Sequence, residues 1–287
     1  FHIFSGNVTI TDVTLLGGAV TGDVGSIYNL TSLSLKRTTV KDGRAGNNGG
    51  GIYNRDALTI IESTVSGNRA NRDGGGIYNQ TGNLTLNNST VSGNLSDNSG
   101  GGFFHNGGTT HLNNVTIAAN TADNDANNVG DGGGVRRNAG QLKLRNSLIA
   151  ANQDGSPTAQ HRDCSGSLES LGYNLIGVAT GCSLNGDGAG NIIGQDALLG
   201  SLADNGGPTQ THALEPASPA VDGGDNLTCL PTDQRGVARP QPAGGNCDIG
   251  AFEAENVDPR QAGPIFEVNN PGDPGDGVCT RSDCTLR

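Results

Sequence analysis

The chain has 287 residues, 48 of them glycine, no Met or Trp, 3% aromatic residues and a formal net charge of -11. That charge argues against a nucleic-acid partner, because phosphate binding needs clustered Lys and Arg, and no apolar run of about 18 residues is present to cross a membrane as a helix. Hydrophobic residues, at 33%, are few for a thick globular core. They suffice for a solenoid, in which each coil packs only on its neighbours.

The first residues show no signal peptide and already read as repeat text, so the sequence is expected to be a mature fragment or one unit of something longer. Residues 49–54 (GGGIYN) return letter for letter at 74–79, with looser copies at 24–29, 100–106 and 132–138. A second text follows each copy: 58–68 (LTIIESTVSGN) and 84–94 (LTLNNSTVSGN), which align without gaps with 8–18, 33–43, 110–120 and 142–152. The six starts are 25, 25, 26, 26 and 32 residues apart, which identifies a repeat protein.

The columns of this alignment are apolar at alternate positions. One reads Val8, Leu33, Leu58, Leu84, Thr110, Leu142; the next Ile10, Leu35, Ile60, Leu86, Leu112, Leu144; a third Leu15, Val40, Val65, Val91, Ile117, Ile149. The GGGIYN strand adds Ile27, Ile52, Ile77, Phe103 and Val135. Three short strands in each repeat of roughly 25 residues, separated by Gly, Asn and Asp turns, predict an all-β fold: a single-stranded parallel β-helix. Stacked Asn residues are expected to form structural ladders, one through Asn54 and Asn79 with Asn29, Asn106 and Asn138, the other through Asn68, Asn94, Asn120 and Asn152. The Gly triplets read as tight corners, and no helix follows them to make a phosphate loop.

The longest insertion is 121–131, at a turn. Six clear coils run to 152 and a degenerate coil to 195, closing domain 1–195; residues 171–177 read as one more strand. Residues 196–253 carry six prolines and read as a disulfide-tied cap over the last coil. Residues 254–264 form a polar linker, and 265–287 begin a new segment. All six Cys follow the repeats: Cys164, Cys182, Cys229, Cys247, Cys279 and Cys284. Without a C-x-x-C, disulfides in an exported protein are expected rather than zinc, pairing neighbours in sequence if proximity decides.

Three stretches, 205–222 (NGGPTQTHALEPASPAVD), 233–240 (DQRGVARP) and 247–253 (CDIGAFE), resemble the bacterial choice-of-anchor Q domain. That resemblance implies the end of a right-handed parallel β-helix in a large secreted or surface protein. Residues 266–287, with Cys284 to Arg287 at the signature tetrad, resemble the CSLREA segment, which in its family precedes a β-helix; this implies a tandem array. The GGGIYN copies are similar to repeats of polymorphic outer-membrane-type proteins.

Glycan-cleaving β-helices need convergent carboxylates. Asp73 and Asp131 stand before Gly triplets two coils apart, with His105, His111, Arg136 and Arg137 near that face. No subset forms a compelling site, so catalytic residues are expected to be none. Arg37 and Glu62, adjacent in one column, read as a surface ion pair. The outward column Tyr28, Tyr53, Tyr78, Phe104 is expected to be either an exposed stripe binding sugar chains or a neighbouring filament, or an aromatic ladder that steadies the sheet. Calcium is the one cofactor considered, at Asp273 and Asp276 or in the loop 123–131. Sequons at Asn7, Asn29, Asn83, Asn87, Asn88, Asn94, Asn114 and Asn226 carry no inference of glycosylation.

The expected function is a non-catalytic extracellular structural or adhesive module of a bacterial surface fibre, sheath or filament. Its partners would be copies of itself, head to tail or in tandem, and possible surface glycans. The alternatives are a polysaccharide lyase or hydrolase, and a glycan-binding adhesin.

Overall fold

A computed structural model describes residues 1–158 and 160–255. They wind as a parallel β-solenoid of about seven turns, with no helix among the described residues. Coil I holds His2–Ile3, Asn7–Thr11, Thr14–Leu16 and Ala19–Val20; coil II holds Ile27–Asn29, Ser32–Lys36, Thr39–Lys41 and Arg44–Ala45. Coil III holds Ile52–Asn54, Leu58–Ile61, Thr64–Ser66 and Arg69–Ala70; coil IV holds Ile77–Asn79, Leu84–Ser92 and Leu95–Ser96. Coil V holds Phe103–His105, Thr109–Ala118 and Thr121–Ala122; coil VI holds Val135–Arg137, Gln141–Arg145, Leu148–Ala150 and Gln153–Asp154. Coil VII holds Cys164–Leu171 and Leu175–Ile176, on which Cys182–Asp187 and Ile192–Ile193 stack as a final part-turn.

The registers follow the sequence columns. Leu58 lies between Leu33 and Leu84, and Ile52 between Ile27 and Ile77. Because strand side chains alternate, each apolar column points inward. The core of Ile27, Leu35, Ile52, Ile60, Ile77 and Val91 is 0% exposed. Where three strands per coil were expected, coils I to III and coil VI carry four. The fourth is a two-residue ledge, such as Arg69–Ala70, that forms its own parallel ladder. The second and third faces meet at a corner where the column Asp12, Arg37, Glu62, Asn88, Asn114, Asn146 takes φ between 43° and 56°.

The three glycines of residues 49–51 answer to three constraints. Gly49 sits at φ 71°, in the left-handed region. A Cβ on Gly50 would lie 2.5 Å from the Arg69 carbonyl carbon, so the ledge packs directly on this corner. A Cβ on Gly51 would lie 2.9 Å from Asn68 Cγ, in the space the Asn column occupies. That column is a continuous buried ladder: Nδ2 of Asn68, Asn94 and Asn120 each donates to Oδ1 of the next Asn at 2.9 Å, and Asn152 ends it on Asp163 Oδ1 at 2.9 Å. Each amide also donates back to a carbonyl of the preceding coil, as Asn94 does to Val65 O at 2.9 Å. Burial pushes the Asp163 carboxyl up, opposed by N–H donors from Asn152 and Val178.

The second ladder runs Asn29 to Asn54 to Asn79, each step 2.7 Å. It does not continue through Asn106 and Asn138. Register places His105 beside Asn79 and Arg137 beside His105, and Asn79 Nδ2 meets His105 Nδ1 at 3.3 Å. Asn106 and Asn138 bond to each other at 2.9 Å on the surface instead.

Residues 196–253 do not stop at the last coil: packed on Leu175 of coil VII, they fold back as a strap along the third face as far as coil III. The antiparallel hairpin of Leu199–Ala203 and Thr211–Leu214 begins it. Asp225 N and Leu230 N donate to Asn146 Oδ1 and Asn114 Oδ1, both at 3.0 Å. Asn88 donates to Thr232 O, Thr90 to Gln234 Oε1, Ser92 Oγ meets His212 Nε2, and Thr209 donates to Glu62 O. Leu148, Ala150, Leu214, Ile249 and Phe252 make a second apolar cluster beneath it. The reason lies in the face itself: small and hydroxylated residues there let a backbone approach and bond. Cys229–Cys247 closes the strap, and Cys164–Cys182 ties coil VII to the part-turn stacked on it. Cys279 and Cys284 lie outside the described residues.

Candidate functional site

The acidic residues considered for catalysis belong to a side-chain ladder. Asn48 N donates to Asp23 Oδ1, Asp73 N to Asn48 Oδ1, Ser99 N to Asp73 Oδ1 and Asp131 N to Ser99 Oγ, at 3.1 to 3.2 Å. Burial pushes the Asp73 carboxyl up. Asp131 Oδ2 accepts from Arg136 Nη1 at 2.7 Å and Ser165 Oγ at 2.9 Å, with His161 Nδ1 at 3.4 Å. His105, His111, Arg136 and Arg137 do not converge. His105 is buried in the second Asn ladder, its pKa drawn down to about 4 by burial and then by Arg137; His111 is exposed on the second face. Arg137 bonds Gly140 O. Arg37 contacts Glu62 at 3.7 Å and bonds Asp12 at 2.6 Å, a three-charge chain down the exposed corner.

The aromatic column is a ladder of rings packed edge-on, tilted and stacked in turn, rather than an exposed stripe. Ring centroids are 5.2, 4.9 and 5.2 Å apart through Tyr28, Tyr53, Tyr78 and Phe104. Tyr53, Tyr78 and Phe104 are only 6%, 8% and 8% exposed, and Tyr28 alone is half-buried. The rings cover one another and lie against the Gly corners, and the Tyr53 hydroxyl donates to Gln80 Oε1 at 2.9 Å. Burial pushes the Tyr53 phenol up.

For calcium, Asp273 and Asp276 lie outside the described residues, and no group of three metal-ligating residues occurs among the described ones. In the loop 123–131, Asp123 accepts from Asn127 N, Asn128 N and Ser156 Oγ, so its carboxylate organises the turn. The sequons at Asn29, Asn88, Asn94 and Asn114 are buried in the fold; Asn7, Asn83 and Asn226 are exposed.

The densest polar chemistry lies inside the strap, where the stretches 233–240 and 247–253 meet. Arg239 pairs with Glu253 at 2.7 Å with side chains 1% and 0% exposed, and its Nη atoms also reach Asp248 O and Gly250 O at 2.8 Å. Arg235 pairs with Asp233 and lies 3.7 Å over the Phe252 ring. Burial pushes the Asp248 carboxyl up to about 7, against the N–H donors of Ala254 and Asp222.

Sequence reasoning missed the strap's docking rail. The third-face column Thr64, Thr90, Thr116 is engaged by strap atoms: Thr64 Oγ1 donates to Gln210 O at 2.6 Å, Thr90 Oγ1 to Gln234 Oε1 at 2.7 Å, and Ala251 N donates to Thr116 Oγ1 at 3.0 Å. The same column continues as Thr39 and Thr14 in coils II and I, where the strap runs beside it. There it floors an open groove of about 310 Å³, with Lys41 beside Thr39 and Asp204, Gly207 and Pro208 as the wall. A signal existed in the corner column, which changes from Asp12, Arg37, Glu62 to Asn88, Asn114, Asn146 as strap coverage deepens.

Residues 62–80 match the Chlamydia polymorphic membrane protein (Chlamydia_PMP) repeat. With the solenoid fold, the match fits a repeat protein similar to the polymorphic membrane proteins and points to a cell-surface or outer-membrane setting. No curated protein and no solved structure matches the chain.

Proposed function

We propose that the chain is a non-catalytic structural or adhesive module of a bacterial surface fibre or sheath, built from solenoids set end to end. The observation that carries this reading is the set of inter-coil ladders. Asn, Ser, Asp and aromatic side chains are spent on binding one coil to the next, which stiffens a rod. The acids at Asp73 and Asp131, the strongest candidates for chemistry, serve the same ladders. The match over residues 62–80 and the sequence resemblances to choice-of-anchor Q and CSLREA segments support a surface setting for such a rod. Contacts between successive modules would be heterologous, and heterologous contacts that do not close propagate into filaments.

Negative-stain electron microscopy of the purified chain tests the reading. End-to-end strings of rods are the expected result. Monodisperse single rods at every concentration would sink it.

A further inference from the structure

We infer that the open groove on coils I and II is a lateral self-association surface, at which two copies of this chain pair side by side about a two-fold axis. The groove continues an interface the chain already uses. Under the strap, Thr64, Thr90 and Thr116 each bond a strap atom, whereas Thr39 and Thr14 present the same hydroxyl column in an open groove that the strap only walls on one side. Leu16 stands in register with Lys41 on this face and is 66% exposed; Val13, next to Thr14, is 42% exposed. A face of this kind, part hydroxyl and part apolar, matches what the strap covers on coil VI, where Leu148 and Ala150 are buried.

The charges choose the occupant. Lys41 on the floor and Asp204 on the wall line one groove, yet no ion pair joins them among the described residues. Lys41 has only a 3.9 Å contact with Asp42, and Asp204 holds the Gly206 amide. A surface that carries one cation and one anion apart from each other is complementary to itself. A two-fold axis through the groove sets Lys41 of one copy opposite Asp204 of the other, twice, which is the pattern of an isologous contact. A foreign acidic or basic partner would satisfy only one of the two charges.

This pairing is distinct from end-to-end stacking. It uses an outward face in the body of the solenoid, it stops at two copies, and it stands whether or not filaments form. Sedimentation velocity of the full chain, disulfides intact, from micromolar to millimolar concentration reads the mass directly. A monomer–dimer equilibrium is expected. Lys41→Glu and Asp204→Lys should each weaken it about tenfold or more, because like charges then face each other. The double variant Lys41→Glu/Asp204→Lys should restore dimerisation to within a few-fold of the parent. Both side chains are on the surface, so unchanged melting curves confirm that the variants fold. A chain that stays monomeric throughout, a dimer indifferent to either reversal, or a double variant as weak as the singles would each overturn the inference.

Discussion

Replacing Asn94 by Ala removes the middle rung of the buried amide ladder. Asn94 is 0% exposed, and its Oδ1 accepts both the backbone N–H of Asn68 at 3.0 Å and the Asn68 amide at 2.9 Å. Its Nδ2 donates to Asn120 Oδ1 and Val65 O, both at 2.9 Å. The substitution orphans two buried donors of Asn68, while Asn120 Oδ1 keeps the backbone N–H of residue 94. At about 1–3 kcal/mol for each buried unsatisfied group, the expected loss is about 2–6 kcal/mol. At about 2–4 °C per kcal/mol for a chain of this size, the melting temperature should fall by roughly 4–24 °C. Asn138→Ala is the control: the same residue type in an exposed pair with Asn106, where the loss should stay within about 0.5 kcal/mol. Far-UV circular dichroism during heating, with disulfides intact, measures both. Because each coil contacts only its neighbours, the Asn94 lesion should also broaden or split the transition. Equal melting of the two variants would refute the idea that the ladder binds the coils together.

Acid should loosen the solenoid through His105. Its folded pKa of about 4 lies below the unfolded value of about 6.5, so the unfolded chain takes up the proton first. The stabilisation is complete above pH about 6.5 and is lost as pH falls through about 4, amounting to about 3 kcal/mol. His105→Asn, which restores the residue of coils II to IV, should flatten that part of the melting-temperature profile; a parent profile unchanged between pH 7 and pH 4 would count against the assignment. In the strap, Glu253→Gln leaves the Arg239 guanidinium buried without its countercharge. A cost of about 3–5 kcal/mol is expected to release the strap while the solenoid persists. Limited proteolysis should then cut within residues 196–253 first, and cleavage no faster than in the parent would contradict this.

The solenoid was readable because six copies place the same residue types at the same offsets, so inward columns such as Leu33, Leu58 and Leu84 identify themselves. The ledge of Arg44–Ala45 and Leu95–Ser96 was not, since two residues carry no period. Asn106 entered the wrong ladder because the residue type was followed instead of the column count; Phe103, Phe104 and His105 stand where Ile, Tyr and Asn stand in coil III. Alternation correctly turned the tyrosines away from the core, but it says nothing of what lies over them. The strap left the least trace in its own sequence. Proline-rich text has no period to reveal its docking face, and the clue lay more than a hundred residues earlier for part of it, in the asparagines of the corner column.

The strap also dictates an order of assembly. The Asn–Asn ladder bonds join residues 25 to 32 positions apart, whereas the bonds that hold Thr232 and Gln234 to coils III and IV span 144 to 170. Closing the longer loops costs more chain entropy, and the Thr rail does not exist until several coils have stacked. A chain emerging from its N-terminus can wind coil upon coil as it appears, with the strap arriving last to grip a finished rod. The rod is thus its own template: its outer face becomes a binding site only when it is correctly wound, and the strap's closure reports that it has been.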